Sequence, residues 1–542
     1  MDESLPPQTG VVESAPLALP SSDQVAWQQL ELGMFVHFGP SSWMERELDD
    51  GTLHPSAFDP RQLDTDQWVD VAKSMGAKYI VLTAKHTGGF CLWQTHTSEY
   101  GVRSTPWRGG RGDVMAELAE SCHKAGMKLG FYLCPRDDHM HALDTGKFDS
   151  PAAQAGYNEY YRAQLTELLT RYGDMAEVWF DGSTRTPVGD ILERHAPHAM
   201  VFGSPQNTIR WVGNEEGIAP DPCWHAVKSA DAASGRAVAR DGSPDADQWL
   251  PVEVDARFRR GWFYSSSNGH TLKSLDHLLW IYYQSVGRGA VLLLNHGPDS
   301  RGLIPEPDVI RAQEFGAEIR RRFGAPLAQT AGAGELLMLE IPPGSRTDHV
   351  ILQEDIRHGQ RVRQFVVEAR TGDGWLALAW GESIGYKRIV FFSPVAATAI
   401  RFRVIRSAGQ PIISQFLAFA VGDSPINWRE KLLRGCDQIG WWSNAKCQRS
   451  WHSYRRSVSA RQFDGPGEYE LRFDALQDNG SPILRSVQVR AGTRVLESLC
   501  GADRPGTIRF ALDQAEDVEI QAEMNSESTI AVEGPMHLVR RI

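Results

Sequence analysis

Between about residues 30 and 325, short apolar runs alternate with segments whose apolar positions recur every three to four residues. The runs GMFVHF (33–38), KYIVLTAKH (78–86), KLGFYLCP (128–135), AEVWFDG (176–182), AMVFGS (199–204) and AVLLLNHGP (290–298) predict strands. The intervening segments 64–77, 112–127, 157–173 and 271–289 predict helices, with Asp113 placed to cap one of them and Gly126 to end it. Continuous apolar strands separated by helices imply a parallel sheet covered on both faces. A run of this length and repeat fits a (β/α)8-like, TIM-type barrel better than two open sheets. A doubly wound sheet would carry a glycine-rich phosphate loop after its first strand, and HFGPSS (37–42) stands there instead.

After EFGAEIRRRFGAP (314–326) the helical period disappears and short alternating segments take over. They predict C-terminal β-sandwich domains after the barrel. The expected organisation is a flexible N-terminal segment (1–24), the barrel (25–328), a β-sandwich (329–424) and a second β-rich module (425–542).

Composition narrows the function. A formal charge of −12 argues against nucleic acid, whose binding depends on Lys and Arg neutralising phosphates. No apolar run approaches the ~20 residues that span a bilayer, so no membrane insertion is expected. The N-terminal segment lacks a basic n-region and an apolar h-region, so no signal peptide is expected there. The seven cysteines are scattered singly without a CxxC pair, which suits reduced core residues.

In a parallel barrel the C-terminal strand ends share the active face. His37, His86, Tyr132 and Asp181 fall at those ends, with Trp93 shortly after the second strand. Imidazoles, a phenol, an indole and a carboxylate converging on one rim suit a sugar, which needs ring stacking and hydrogen bonds to hydroxyls. Asp181 on its own could equally cap its loop. A glycosidase needs a second carboxyl group. Glu215 and Glu216 in IRWVGNEEGIAP (209–220) are candidates, as are Glu253 in WLPVEVD and Glu47 in WMERELDDG. Metal chemistry finds no support, because HMH (139–141) and the strand-end histidines lack zinc-site spacing. No GxSxG marks a serine nucleophile.

GMFVHFGPSSW, KYIVLTAKH with GFCLWQT, GDVMAELAESCHKAGMKLGFYL, EVWFDG, RWVGNEEG, and GWFY with SVGRGAVLLLN together resemble glycoside hydrolase family 29, the α-L-fucosidases. They are most similar to the branch preferring α-1,3/1,4-linked fucose. The resemblance implies a retaining, exo-acting glycoside hydrolase that takes an oligosaccharide or glycoconjugate and needs no cofactor and no metal. It makes Asp181 the nucleophile and Glu215 the general acid/base, with Glu216 as the fallback. It places His37, Glu47, His86, Trp93 and Tyr132 against the sugar.

Several positions depart from the family's usual pattern, LCPRDDH (133–139) for LSPWDRH among them. KHTGGF stands where it has KHHDGF, so Thr87 and Gly88 replace a His and an Asp, and Leu48 replaces a Trp. Losing a hydrogen-bond partner aimed at one hydroxyl changes which sugar a site accepts. The same mechanism on a different terminal sugar, and a non-catalytic glycan-binding protein, stay open at this stage.

Overall fold

The computed structural model describes residues 10–11, 16–372, 374–422, 433–443, 452–463, 465–473, 483–500, 507–525 and 533–541. Eight strands form one parallel sheet: β1 (Leu32–Val36), β2 (Tyr79–Lys85), β3 (Lys128–Leu133), β4 (Met175–Trp179), β5 (Met200–Phe202), β6 (Arg210–Trp211), β7 (Val252–Arg257) and β8 (Val291–His296). They pair in the order β5-β4-β3-β2-β1-β8-β7-β6, so the last strand closes back on the first. The edges are β5 and β6, where the Thr208 N–H still reaches the Val201 carbonyl at 2.8 Å. The chain therefore builds a nearly closed TIM-type barrel.

Helices α1 (Ser22–Gln28), α2 (Thr65–Met75), α3 (Val114–Ala125), α4 (Pro151–Arg171), α5 (Gly189–His195), α6 (Leu275–Gln284) and α7 (Glu306–Phe323) accompany the strands. Asp64 and Asp113 accept N–H groups of the first turns of α2 and α3, and Gly76 and Gly126 end those helices in the left-handed region. Helix α4 starts six residues before the periodicity predicts. Ser150 caps the Ala153 N–H there and Pro151 takes the first helical position, where its missing N–H costs nothing. Helix α6 is shorter than 271–289, because 3₁₀ turns flank it. Strands β6 and β7 did not read as apolar runs. The first is two residues long, and VEVDAR in β7 turns charged side chains inward.

Strand alternation separates two cores. Met34, Ile80, Leu82, Phe131, Val178, Leu292 and Leu294 join the shell between sheet and helices. Phe35, Tyr79, Val81, Tyr132, Trp179, Val291 and Leu293 fill the barrel itself. Gly33 makes room inside: a Cβ there would fall 2.3 Å from the Tyr79 ring.

Behind the barrel lies an antiparallel β-sandwich. One sheet holds β9 (Ala328–Ala333), β11 (Arg346–Glu354), β14 (Arg388–Ala396) and β16 (Ile412–Phe419). The other holds β10 (Leu336–Glu340), β12 (Val362–Thr371), β13 (Gly374–Gly381) and β15 (Ala399–Ser407). A second pair of four-stranded sheets follows. It consists of β17 (Leu433–Ser443), β19 (Gly467–Phe473), β22 (Thr507–Leu512) and β24 (Glu533–Arg541), facing β18 (His452–Val458), β20 (Ile483–Ala491), β21 (Arg494–Cys500) and β23 (Val518–Asn525). Its own apolar core includes Tyr469, Leu471, Val489, Phe510 and Leu538. The side chains of Trp441, Trp442 and Trp451, which the sequence reads as core tryptophans before carbohydrate-binding surface aromatics, lie outside the described residues. Among the described residues no helix is long and apolar enough to cross a membrane.

Candidate active site

The inward alternation that packs the barrel also builds its mouth. Continuing past the last apolar layer, β1 delivers His37, β4 delivers Asp181, β7 delivers Asp255 and Arg257, and β8 delivers Asn295. Strand β2 shifts register between Thr83 and Lys85. Such an irregularity re-aims the residues beyond it. Lys85 thereby turns outward to α4, bonding Asp137 at 2.9 Å and lying 5.2 Å from the Tyr161 ring. His86 turns toward the mouth, where its ring stacks on Tyr132 at 5.5 Å.

Asp181 ends β4 at a sharp turn in which both Gly182 and Ser183 take positive φ, 65° and 75°. For serine that conformation costs about 1 kcal/mol or more. The turn holds the carboxylate out at the rim, exposed to solvent. The Tyr132 hydroxyl donates to Asp181 Oδ2 at 3.0 Å. The protein packed around Asp181 raises its carboxyl above the ordinary range, while the Tyr132 hydroxyl and the Gly182 N–H pull the other way. Direct access to water limits that rise.

From Asp181 a continuous set of contacts runs round the mouth. His86 meets His37 edge-on at 5.6 Å. His37 Nδ1 is 2.7 Å from Asn295 Oδ1, and Asn295 Nδ2 donates to the Trp262 carbonyl at 2.8 Å. With its amide oriented by that second bond, Asn295 presents an acceptor, so His37 Nδ1 carries the proton and Nε2 keeps its lone pair. Burial, His86 and Arg257 hold His37 well below the usual imidazole value against the Asn295 bond. His86 is held down to about 3 by burial and Arg136. Both rings are therefore neutral at neutral pH. Trp262 lies 4.9 Å from the His37 ring, and its backbone N–H donates to Glu47 Oε1 at 2.7 Å.

Trp262 also connects this ring to the second acid. Its indole N–H reaches Glu215 Oε2 at 3.3 Å, and the Arg257 guanidinium lies 5.3 Å over its face. Arg257 bridges both glutamates, Nη1 to Glu215 at 3.3 Å and Nη2 to Glu216 at 3.1 Å. The two carboxyls then diverge. Burial raises Glu215 above the ordinary range, and Glu216 adds to this against the pull of Arg257, His537 and the Trp262 indole. Burial would raise Glu216 as well, but His537, Arg257, Lys273 and His277 outweigh it and hold that carboxyl down to about 2. Glu216 is a fixed anion. Glu215 is the one of the pair suited to carrying a proton.

His37, Glu47, His86, Tyr132, Asp181, Glu215 and Glu216 thus meet on one face. Trp93 does not join them: it is fully buried in the shell between barrel and helices, its indole N–H on Glu167 of α4 at 2.8 Å. Just before Trp93, the Leu92 N–H donates to the Ala84 carbonyl of β2 at 3.0 Å, so the loop has already folded back along that strand, away from the mouth. Glu253 is likewise no rim acid. It lies near the start of β7, sealed in the barrel floor with Tyr79 and Trp179 donating to it at 2.9 and 2.6 Å. Residue-by-residue reading missed Arg257, Trp262 and Asn295. For Arg257 and Asn295 the signal was the inward parity of VEVDAR and VLLLNH, which becomes readable once Glu253 and Leu293 are known to face inward; Trp262 lies in the loop after β7, outside both runs. A cavity of about 200 Å³ lined by Trp224, Arg363 and Arg406 lies at the seam with the first sandwich and shares none of these residues. Among the described residues no group of three or more His, Cys, Asp or Glu is placed to hold a metal ion.

The alpha-L-fucosidase family model matches residues 52–321, the span that carries β2 to β8 and both acids. Alpha-L-fucosidase 1 of Arabidopsis thaliana is 35% identical over 448 residues, 73% of this chain and 87% of its own. This chain belongs to the alpha-L-fucosidase family. A solved structure of a putative alpha-L-fucosidase from Bacteroides thetaiotaomicron superposes with a TM-score of 0.70 at 32% identity, covering 74% of this chain and 99% of that one. A family 29 fucosidase of Ruminococcus gnavus, solved in complex with fucose, gives 0.68 at 28% identity, over 76% of this chain and 97% of its own. As a member of this family the protein is a glycoside hydrolase.

Proposed function

We propose that the protein releases terminal α-L-fucose with retention of configuration, Asp181 serving as nucleophile and Glu215 as general acid/base. The reading rests on one observation above all: an accessible carboxylate and a largely buried glutamate raised above the ordinary range, joined by a single ring of neutral hydrogen-bonding and aromatic groups. With Oδ2 held by Tyr132, the other oxygen of Asp181 attacks the anomeric carbon while Glu215 protonates the departing glycosidic oxygen. Glu215, now ionised, takes a proton from water, which displaces Asp181 and frees the sugar. Neutral His37 and His86, with Glu47 and Trp262, bind hydroxyls and ring. In the same reading residues 25–328 are the catalytic unit, followed by modules at 329–424 and 425–542.

The α-1,3/1,4-linked preference belongs to this proposal and is supported by the GNEEG loop. Measuring release from α-1,3-, α-1,4- and α-1,2-linked fucosyl oligosaccharides tests it, and equal rates on all three contradict it. A second reading keeps the chemistry and changes the sugar. It is favoured by position 88, where a Cβ would fall 2.0 Å from Asp49 Oδ2, so that a buried Asp49 fills the space an aspartate side chain would need. Screening aryl α-L-fucoside beside β-D-arabinoside and α-L-galactoside separates the two. Activity on the fucoside alone removes the second.

A further inference from the structure

The loop that carries Glu215 is gripped from outside the barrel. Asn214 Oδ1 accepts the N–H groups of Glu216 and Ile218 at 3.0 and 3.3 Å, which closes the loop on itself. Asn214 Nδ2 donates at 2.8 Å both to the Ile218 carbonyl and to the Cys436 carbonyl of β17. The Gln438 N–H of β17 donates to the Gly213 carbonyl at 2.6 Å. Ile218 packs with Cys436 and Val539, and buried Asp437 lies 3.5 Å from Arg240 and 3.6 Å from Arg540.

We infer that the C-terminal sandwich is part of the catalytic apparatus rather than an appended glycan-binding module: β17 clamps the loop that carries Glu215 and so positions the acid/base. This rests on the assignment of Glu215 above. Two independent features support it. Backbone groups of β17 hold the two residues before Glu215, Gly213 and Asn214, and beyond it the Ile218 side chain packs on Cys436 and Val539. A domain that only buttressed the barrel would have no reason to close on this one loop.

Proton delivery to the leaving group distinguishes the roles. A substrate with a good leaving group needs little help from a general acid, whereas an alkyl or sugar leaving group depends on it. In the full chain, Asn214→Ser is expected to lower kcat/KM on an unactivated α-L-fucoside about tenfold or more. On 2,4-dinitrophenyl α-L-fucoside the loss stays within about twofold. Equal losses on both substrates overturn the inference. Should that variant fail a thermal-melt check of folding, Ile218→Ala, which loosens the loop's packing on Cys436 and Val539, must show the same split between substrates, and equal losses there overturn it too. A wild-type chain inert on both fucosides instead overturns the fucosidase reading, and this inference with it.

Discussion

The barrel holds two clusters of carboxyl groups, one at its floor and one at its mouth, and each includes carboxyls held above the ordinary carboxylate range. At the floor Glu177 and Glu253 are completely buried and bonded by the neutral donors Trp27, Tyr79 and Trp179. Burial and Glu253 push Glu177 well up, and burial raises Glu253 to about 7 against the Trp179 and Tyr79 bonds. At the mouth Asp181 is open to water and Glu215 is bridged to an arginine. The difference is access and context. A raised carboxyl pKa marks burial in both places, and only the mouth adds a path for substrate, a fixed cation and a neighbour to stabilise charge. Trp179 connects the two, its indole N–H on Glu253 and its ring stacked on Tyr132 at 6.0 Å.

The largest effect belongs to Asp181. Asp181→Ala is expected to cut turnover of an aryl α-L-fucoside by about 10³-fold or more, with azide or formate restoring part of it as an external nucleophile. Near-normal activity in that variant would break the distinction between mouth and floor. Next comes the glutamate pair. Glu215→Gln should cost about 10²–10⁴-fold on unactivated substrates, against less than about tenfold for Glu216→Gln. The reverse order would move the acid/base role to Glu216.

The floor predicts a different readout, stability against pH. Glu253 has a folded pKa of about 7, above the unfolded value of about 4.3. The folded state therefore holds its proton longer, so stability falls as pH rises from about 4.3 through about 7. Melting temperatures of wild type and Glu253→Gln across this window should differ most at its upper end. The substitution should flatten the decline while changing kcat by less than about twofold, since the variant keeps an amide acceptor for Trp179. Identical slopes would show that the floor carboxyl does not titrate there. Smallest is Trp93→Phe, which removes a buried bond to Glu167. It should cost about 1–3 kcal/mol of stability and leave KM for a fucoside unchanged, and a raised KM would return Trp93 to the sugar site.

The same contrast explains what could be read from the sequence. Strands with apolar side chains on both faces, such as KYIVLTAKH and AVLLLNHGP, declared themselves, and with them the residues at their ends, His37, His86, Tyr132 and Asp181. Strand β7 did not, because VEVDAR puts carboxylates and a guanidinium inside a barrel and so mimics a polar loop. Arg257 went unseen for that reason, and Glu253 was placed at a strand end rather than in the floor. Trp93 was misplaced because a short loop returns into the shell. Sequence distance gives no hint of that. Nor could the contact of β17 with Asn214 be read, since more than two hundred positions separate them.

Covalent trapping tests the chemistry most directly. Incubation of the full chain with 2-deoxy-2-fluoro-α-L-fucosyl fluoride, followed by proteolysis and mass spectrometry, should find one fluorofucosyl adduct, on the peptide bearing Asp181, appearing as activity is lost. Complete inactivation with Asp181 unlabelled, or an adduct on Glu215, Glu216 or another side chain, would contradict Asp181 as the nucleophile.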